Sequence, residues 1–330
     1  VQARELVKRP GPGPGGGRGR PQNADGCGFG ENGLSAGPPL RYDKTGPDMK
    51  KSRRHALGQH FLASRGVLAK IAAVISPGPD DLVVEIGAGK GALTAVLAAA
   101  AGRVVAIEKD ARLLPALRLA VPANVDVVHA DVLTFDFRGL LDPRRPGRLR
   151  VAGNLPYSIS SPLLFRILDE RELFSDAVFL VQKEVAGRVT AGPRTKSYAP
   201  LSILIQNYFA ARVEFTVPPG AFSPPPKVTS ALLSLRRRPA PLLDVSDEPL
   251  FRNFLRAAFA RRRKLLRGNL ASCAGGEALA EAWERAGLPK NARAEELPTE
   301  RLAALFEALL PHLVFESSPM RRESSPRKAE

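Results

Sequence analysis

Two short segments carry the residue types best suited to chemistry. Asn154-Leu155-Pro156-Tyr157 closes an apolar run, Leu149 to Ala152, about 65 residues beyond a glycine-rich turn, Glu85-Ile86-Gly87-Ala88-Gly89-Lys90-Gly91. Glycine lets the main chain pass close to a ligand and take positive φ. A helix starting at such a turn adds unpaired N–H groups. The spacing is G-x-G-x-G rather than the dinucleotide G-x-G-x-x-G. Glu85 beside the turn disfavours a pyrophosphate and suits a sulfonium and an amino-acid ammonium. The expected ligand is therefore S-adenosylmethionine rather than NAD.

Glu108 lies 21 residues after Gly87, where a carboxylate accepts both hydrogen bonds of a ribose diol. Asp131, after the next apolar run, is placed to accept from an adenine amine of the cofactor. Asn154 to Tyr157 suits the acceptor side. An adenine amine is a poor nucleophile because its lone pair is delocalised into the ring. The Asn154 side-chain oxygen and the Leu155 carbonyl accept its two hydrogens and favour a tetrahedral nitrogen. Pro156 stiffens the loop and Tyr157 offers a flat surface for the base. Stacking of this kind contributes about 1–3 kcal/mol per base, comparable to the cost of extracting a base from its helix. Positioning supplies about 7–11 kcal/mol of the barrier, and no strong general base is needed, since the amine becomes acidic once methylated. Phe222, in the stiff segment Val217 to Lys227, is the second wall of the base sandwich or, equally, a buried Phe in a linker. Together these residues predict a methyltransferase acting on a nucleobase amine.

The elements that must position them alternate. Val67, Leu68, Ile71, Val74 and Ile75 recur at helical spacing with Ser64 as N-cap. Strands are expected at Leu82–Ile86, Arg103–Ile107, Val125–His129, Leu149–Ala152 and Ala177–Val181. Helices are expected at Ala92–Ala101 and Ser160–Leu168, then up to about Val189, and at Pro200–Phe209. Continuous apolar strands between helices imply a parallel sheet covered on both faces, a Rossmann-like α/β class. Arg212–Val217 and Ser230–Leu235 fit an antiparallel pair at one edge. After Arg238 the pattern becomes purely helical: Phe251, Phe254, Leu255 and Ala258 share a face, with further helices near Ala278–Ala286 and Glu300–Leu310. The expected domains are thus 50–238, a methyltransferase domain, and 239–313, a small helical one, with the boundary in Pro239–Asp247.

Residues 1–49 and 314–330 read as disordered tails, the first rich in Gly, Pro and Arg. Ordinary sequence begins at Met49, so 1–48 is either an extension before the authentic start or a basic, RNA-touching tail. No secretory signal pattern is visible at the N-terminus. The net charge of +16 points to an anionic partner, nucleic acid first and an acidic membrane surface second. Arg261, Arg262, Arg263, Lys264 and Arg267 form the densest basic cluster and suit phosphate contact or a solvated helix end. Lys50, Lys51, Arg53 and Arg54 form another. Cys27 and Cys273 are far apart and imply neither a disulfide framework nor a thiolate zinc site, which fits a reducing cytoplasm. The four histidines make no metal constellation. No apolar run is long enough to span a bilayer.

The chain resembles the KsgA family of small-subunit rRNA adenine dimethyltransferases over about residues 50–313. The resemblance rests on Gly58-Gln59-His60-Phe61-Leu62, Val84-Glu85-Ile86-Gly87, Gly153 to Tyr157, Gln182-Lys183-Glu184-Val185 and Phe222 to Val228. It implies S-adenosylmethionine as donor, with no metal, and two adjacent adenines in the 3′-terminal hairpin loop of 16S rRNA as acceptors. The substrate would be an immature 30S subunit, met by a cytoplasmic, monomeric enzyme. Cofactor contacts fall by the family pattern on His60, Leu62, Gly87, Glu108, Asp131 and Asn154. His60 stands where many members have Asn, a change that a backbone contact survives. The helical C-terminal module resembles the part that grips the ribosomal particle. Two rivals stand beside it: the related Erm enzymes, which modify large-subunit rRNA, and non-catalytic nucleic-acid binders or assembly factors. The Phe222–Val228 segment and an Arg262-Arg263-Lys264 helix favour KsgA over Erm, and the intact Asn154 and Tyr157 favour catalysis.

Overall fold

The computed structural model describes residues 59–141 and 148–315. The expectations for residues 1–49, for the Lys50 to Arg54 cluster and for the tail from 316 lie outside them.

Local signals start the fold. Helix α1, Arg65–Ile75, follows a two-residue strand β1, Phe61–Leu62; Ser64 caps it by accepting from the Val67 N–H, and Leu68, Ile71 and Ile75 are buried. Seven strands form the main sheet: β2 Leu82–Ile86, β3 Arg103–Glu108, β4 Val125–His129, β5 Leu149–Asn154, β6 Phe174–Gln182, β7 Phe209–Val217 and β9 Ser230–Arg237. Helices α2 Ala92–Ala98, α3 Leu114–Ala120, α4 Ser160–Asp169, α5 Lys183–Val189 and α6 Pro200–Tyr208 connect them. Helix α3 and strand β1 carry no periodicity long enough to read in advance.

The strand order is β4-β3-β2-β5-β6-β9-β7. Strands β2 to β6 pair in parallel, whereas β9 is antiparallel to both β6 and β7, the expected edge pair. From β2 the chain winds outward to β3 and β4, then returns to lay β5 on the other side of β2. A crevice opens where the winding reverses, beyond the carboxyl ends of the strands. The registers Ile86↔Ile107, Ile86↔Gly153 and Glu108↔His129 bring those ends to one edge. Gly153 is required there, since a Cβ would lie 2.5 Å from the Ile86 carbonyl oxygen. A two-residue strand β8, Phe222–Ser223, pairs with β1 through Leu62↔Phe222.

Helices α7 Glu248–Ala258, α8 Leu266–Leu270, α9 Gly276–Arg285 and α10 Thr299–Leu309 complete the chain. Their Phe251, Phe254 and Phe306 belong to the same apolar cluster as Val84, Val151 and Phe179 of the sheet, so the core does not break at 239–247. Glu248 fastens the junction: Arg171 donates to it at 2.8 Å and the Tyr208 hydroxyl at 2.7 Å.

Candidate active site

The glycine turn adopts the conformation its residues suggest. Gly87, Gly89 and Gly91 have φ of 72°, 59° and 83°, which side chains rarely tolerate. Four of its amides are engaged within the protein. The N–H groups of Gly87 and Ala88 donate to the Ile107 carbonyl at 2.8 and 3.3 Å, that of Gly91 to Ala88 at 2.9 Å, and that of Gly89 to Glu108 Oε2 at 2.9 Å. A turn with its donors so engaged is no phosphate nest, which itself favours a non-phosphate ligand.

The reading of Glu85 needs correction. Alternate strand residues face opposite sides of a sheet, and it is Ile86 that lines the cavity. Glu85 is 2% exposed and its Oε2 has no hydrogen-bond partner among the described residues. Burial, with the Glu108 charge adding to it, pushes its carboxyl up to about 8. It supplies no negative charge to the cavity near neutral pH.

Glu108 takes that place. It is buried at the cavity wall; Oε2 holds Gly89 and Oε1 accepts from the Asp110 N–H at 2.7 Å. Each oxygen keeps a second lone pair for a ribose hydroxyl. Two further carboxylates line the cavity, both paired. Arg112 bonds Asp110 at 2.6 Å and holds its carboxyl down at about 2. Lys109 bonds Asp131 Oδ2 at 2.6 Å, and with the Leu133 N–H on Oδ1 keeps that carboxyl below the usual carboxylate range. Glu108 is therefore the cavity carboxylate without a cationic partner among the described residues. An engaged turn, spare lone pairs on Glu108 and net negative character fit a sulfonium nucleoside.

Asn154 ends β5. Its Nδ2 donates to the His60 carbonyl at 2.8 Å, which turns Oδ1 into the free acceptor of the amide. The Leu155 N–H donates to Leu180 at 3.1 Å, while its carbonyl receives no hydrogen bond among the described residues. Tyr157 is half-buried with its hydroxyl 3.0 Å from Ser230 Oγ, so the phenol is held by its far end. Phe222 is buried and lines the same cavity, as do Pro156 and His60. Leu62 does not: its side chain sits in the core beneath, and its backbone pairs with Phe222.

Several lining residues escaped the sequence reading. Gln59 donates to Asp110 at 3.2 Å, and Phe61 packs so closely on Gly89 that a Cβ there would come within 3.1 Å of its ring. Both stand in the segment quoted for His60 and Leu62, and that adjacency was the available signal. Asp110 gave none.

The basic cluster is also corrected. Arg261 to Lys264 lie in the turn between α7 and α8, not on a helix; of the five, Arg267 alone is helical. Arg262 is committed to the protein: it bonds Glu295 at 2.6 Å and the carbonyls of Lys196 and Thr195. Arg261, Arg263, Lys264 and Arg267 are exposed and have no ion pair among the described residues. Arg263 shares an open groove with Arg194 and Lys196, from the loop between α5 and α6. Among the described residues no cluster could hold a metal ion, and no helix is long and apolar enough to cross a membrane.

The chain is similar in sequence and fold to known proteins. The family model of ribosomal RNA adenine dimethylase matches residues 50–310. The ribosomal RNA small subunit methyltransferase A of Geobacter metallireducens is 45% identical over 262 residues, which cover 78% of this chain and 95% of that protein. That of Xylella fastidiosa is 42% identical over 258 residues, 77% and 95% of the two chains. Among solved structures, a dimethyladenosine transferase from Plasmodium falciparum superposes with a TM-score of 0.64 at 25% identity, covering 78% of this chain and all of that one. The 23S rRNA methyltransferase ErmE superposes at 0.59 with 30% identity, 76% and 99% covered. With a family model spanning both the sheet and the helices that follow it, the chain is a member of the ribosomal RNA adenine dimethylase family.

Proposed function

We propose that the protein uses S-adenosylmethionine to dimethylate the exocyclic amines of two adjacent adenines in the 3′-terminal hairpin loop of 16S rRNA. We further infer that it acts as a cytoplasmic monomer on an immature 30S subunit. The observation that carries the catalytic assignment is the Asn154 amide, clamped through Nδ2 so that Oδ1 stands as an acceptor one residue before a Leu155 carbonyl that has no hydrogen bond among the described residues.

Each residue has a definite task in this reading. Gly87 and the backbone of His60 and Leu62 shape the cofactor site; Glu108 receives the ribose hydroxyls; Asp131 faces the adenine end; Asn154 borders both ligands. When bound, the cofactor supplies an electrophilic methyl group. Asn154 Oδ1 and the Leu155 carbonyl hold the amine hydrogens and direct its lone pair. Pro156 restrains that loop, while Tyr157 and Phe222 hold the flipped base. Outside the cavity, the module at 239–313 grips RNA phosphate through Arg261, Arg263, Lys264 and Arg267, with Arg262 serving chiefly to hold the loop. Arg194 and Lys196 extend that surface.

The Erm alternative draws support from the ErmE likeness. The higher identity to proteins named for the small subunit favours 16S rRNA. The test is label transfer from the methyl donor into two substrates, 30S particles lacking the dimethyl marks and protein-free 23S rRNA. Primer-extension stops at two adjacent adenines near the 16S 3′ end are expected. Label in 23S rRNA alone would favour Erm, and label in neither, with donor bound, would favour an assembly factor.

A further inference from the structure

Resting on the function just given, we propose that Ser230 is a positioning residue for the reaction: its hydroxyl fixes the Tyr157 ring that the flipped base meets. Ser230 opens β9 and is 1% exposed. Its backbone is paired on both sides, with Gln182 of β6 and with Val217 of β7. A residue held between two strands does not follow a moving neighbour; it sets where the neighbour stays. Its Oγ lies 3.0 Å from the Tyr157 hydroxyl, and neither oxygen has another hydrogen bond among the described residues. Whichever hydroxyl donates, the other accepts.

The same residue closes the loop that carries the other wall. Val217 and Ser230 stand opposite one another in the sheet, and the segment between them, 218–229, holds Phe222. Phe222 and Tyr157 line one cavity. Both walls are therefore referred to one point of β9, Phe222 through the chain and Tyr157 through a hydrogen bond. A ring held at its Cβ and at its hydroxyl is already oriented when a base arrives, which lowers the ordering cost of binding. Released at the hydroxyl, it keeps the His60 imidazole as an aromatic neighbour, 5.8 Å away and tilted by 34°, but has no polar tether. A base that shifts with the ring takes its amine away from Asn154 Oδ1 and the Leu155 carbonyl, and transfer slows because the reaction needs near-attack geometry. The loss falls on the rate of transfer and not on particle binding, which the basic module dominates.

The experiment is transfer of labelled methyl from saturating S-adenosylmethionine to saturating 30S particles that lack the dimethyl marks. The full chain is used as wild type, Ser230→Ala, Tyr157→Phe and the double variant. Rates are taken per folded molecule, and the Kd of donor and of particle are measured alongside. Each single variant slows transfer about three- to tenfold, the scale of one neutral hydrogen bond. The double variant is no slower than the slower single one, because both changes remove the same contact. Donor and particle Kd stay within about twofold, a split that general loosening of the fold does not give. Losses that multiply in the double variant overturn the proposal. So does a wild-type rate in either single variant, or a donor Kd that weakens as much as the rate falls. Ser230→Cys, close to serine in size and a weak hydrogen-bond partner, replaces Ser230→Ala in the set if the alanine variant does not fold. A wild type that binds the donor and transfers no label refutes the proposed function, and this inference with it.

Discussion

The two edges of the central sheet are made by the same strands and are finished in opposite ways. At the amino edge, Arg150 of β5 donates to Asp81 at 2.6 Å, to Asp176 at 2.9 Å and to the carbonyls of Ile75 and Ser76. That one guanidinium closes the gap between α1, β2, β5 and β6. At the carboxyl edge, four residues along the same strand, Asn154 has one end of its amide held and the other left open. Glu108 likewise has one lone pair per oxygen occupied and one spare. The first edge spends its polar capacity on itself and gains rigidity. The second withholds part of that capacity, which a ligand can then use.

The comparison breaks most visibly at Asn154. Asn154→Ala should lower the rate of methyl transfer to 30S particles by about a thousandfold, roughly 4 kcal/mol of barrier, while particle binding stays within about threefold. Loss of binding in equal measure would remove the distinction between the edges. Arg150→Ala should do the reverse. It leaves Asp176 buried without its partner, and burial already pushes that carboxyl up. About 2 kcal/mol of stability should go, the cost of breaking a buried pair reduced for partial exposure. Denaturant unfolding measures this, with turnover per folded molecule retained.

Glu85 sharpens the contrast through pH. Its carboxyl is raised from 4.5 to about 8 in the folded protein, so the native state binds the extra proton between those values. Its contribution to stability is complete below the lower value and is lost as pH rises through the upper one. Glu85→Gln should flatten that decline, seen as a smaller fall in Tm between pH 5 and 8. An unchanged profile would mean that the carboxyl is not held neutral. The smallest effect belongs to the basic loop. Arg263→Ala should reduce the salt slope of RNA binding by about 0.7–0.9 with little change in stability. Arg262→Ala, which loses Glu295, should cost about 0.5–1 kcal/mol of stability.

Much of this molecule was legible as sequence because short-range rules govern it. The Ser64 cap, the helical face of α1, the apolar strands and the need for positive φ at Gly87, Gly89 and Gly91 each depend on a few neighbouring residues. Asn154 and Tyr157 could be singled out for the same reason, as types at a strand end, and the structure sets both on the cavity wall. What stayed hidden involves partners far apart in the chain. Glu85 and Glu108 are both acids beside a strand end; one faces the core and the other the cavity, and residue type does not say which. Lys109 neutralising Asp131, Arg262 locked to Glu295 and the two-residue pairing of β1 with β8 leave no periodic trace.

The sequence by itself determined the order of strands and helices, the ligand-side glycines and the residue types able to steer an amine, because backbone propensity and apolar patterning act over a few residues. Tertiary structure alone decided which polar atoms remain without a partner. That depends on where β5 is laid against β2 and on what the segment from Gln59 to Phe61 covers. Binding capacity resides in those unspent lone pairs, and whether a lone pair is spent is a property of the assembled neighbourhood.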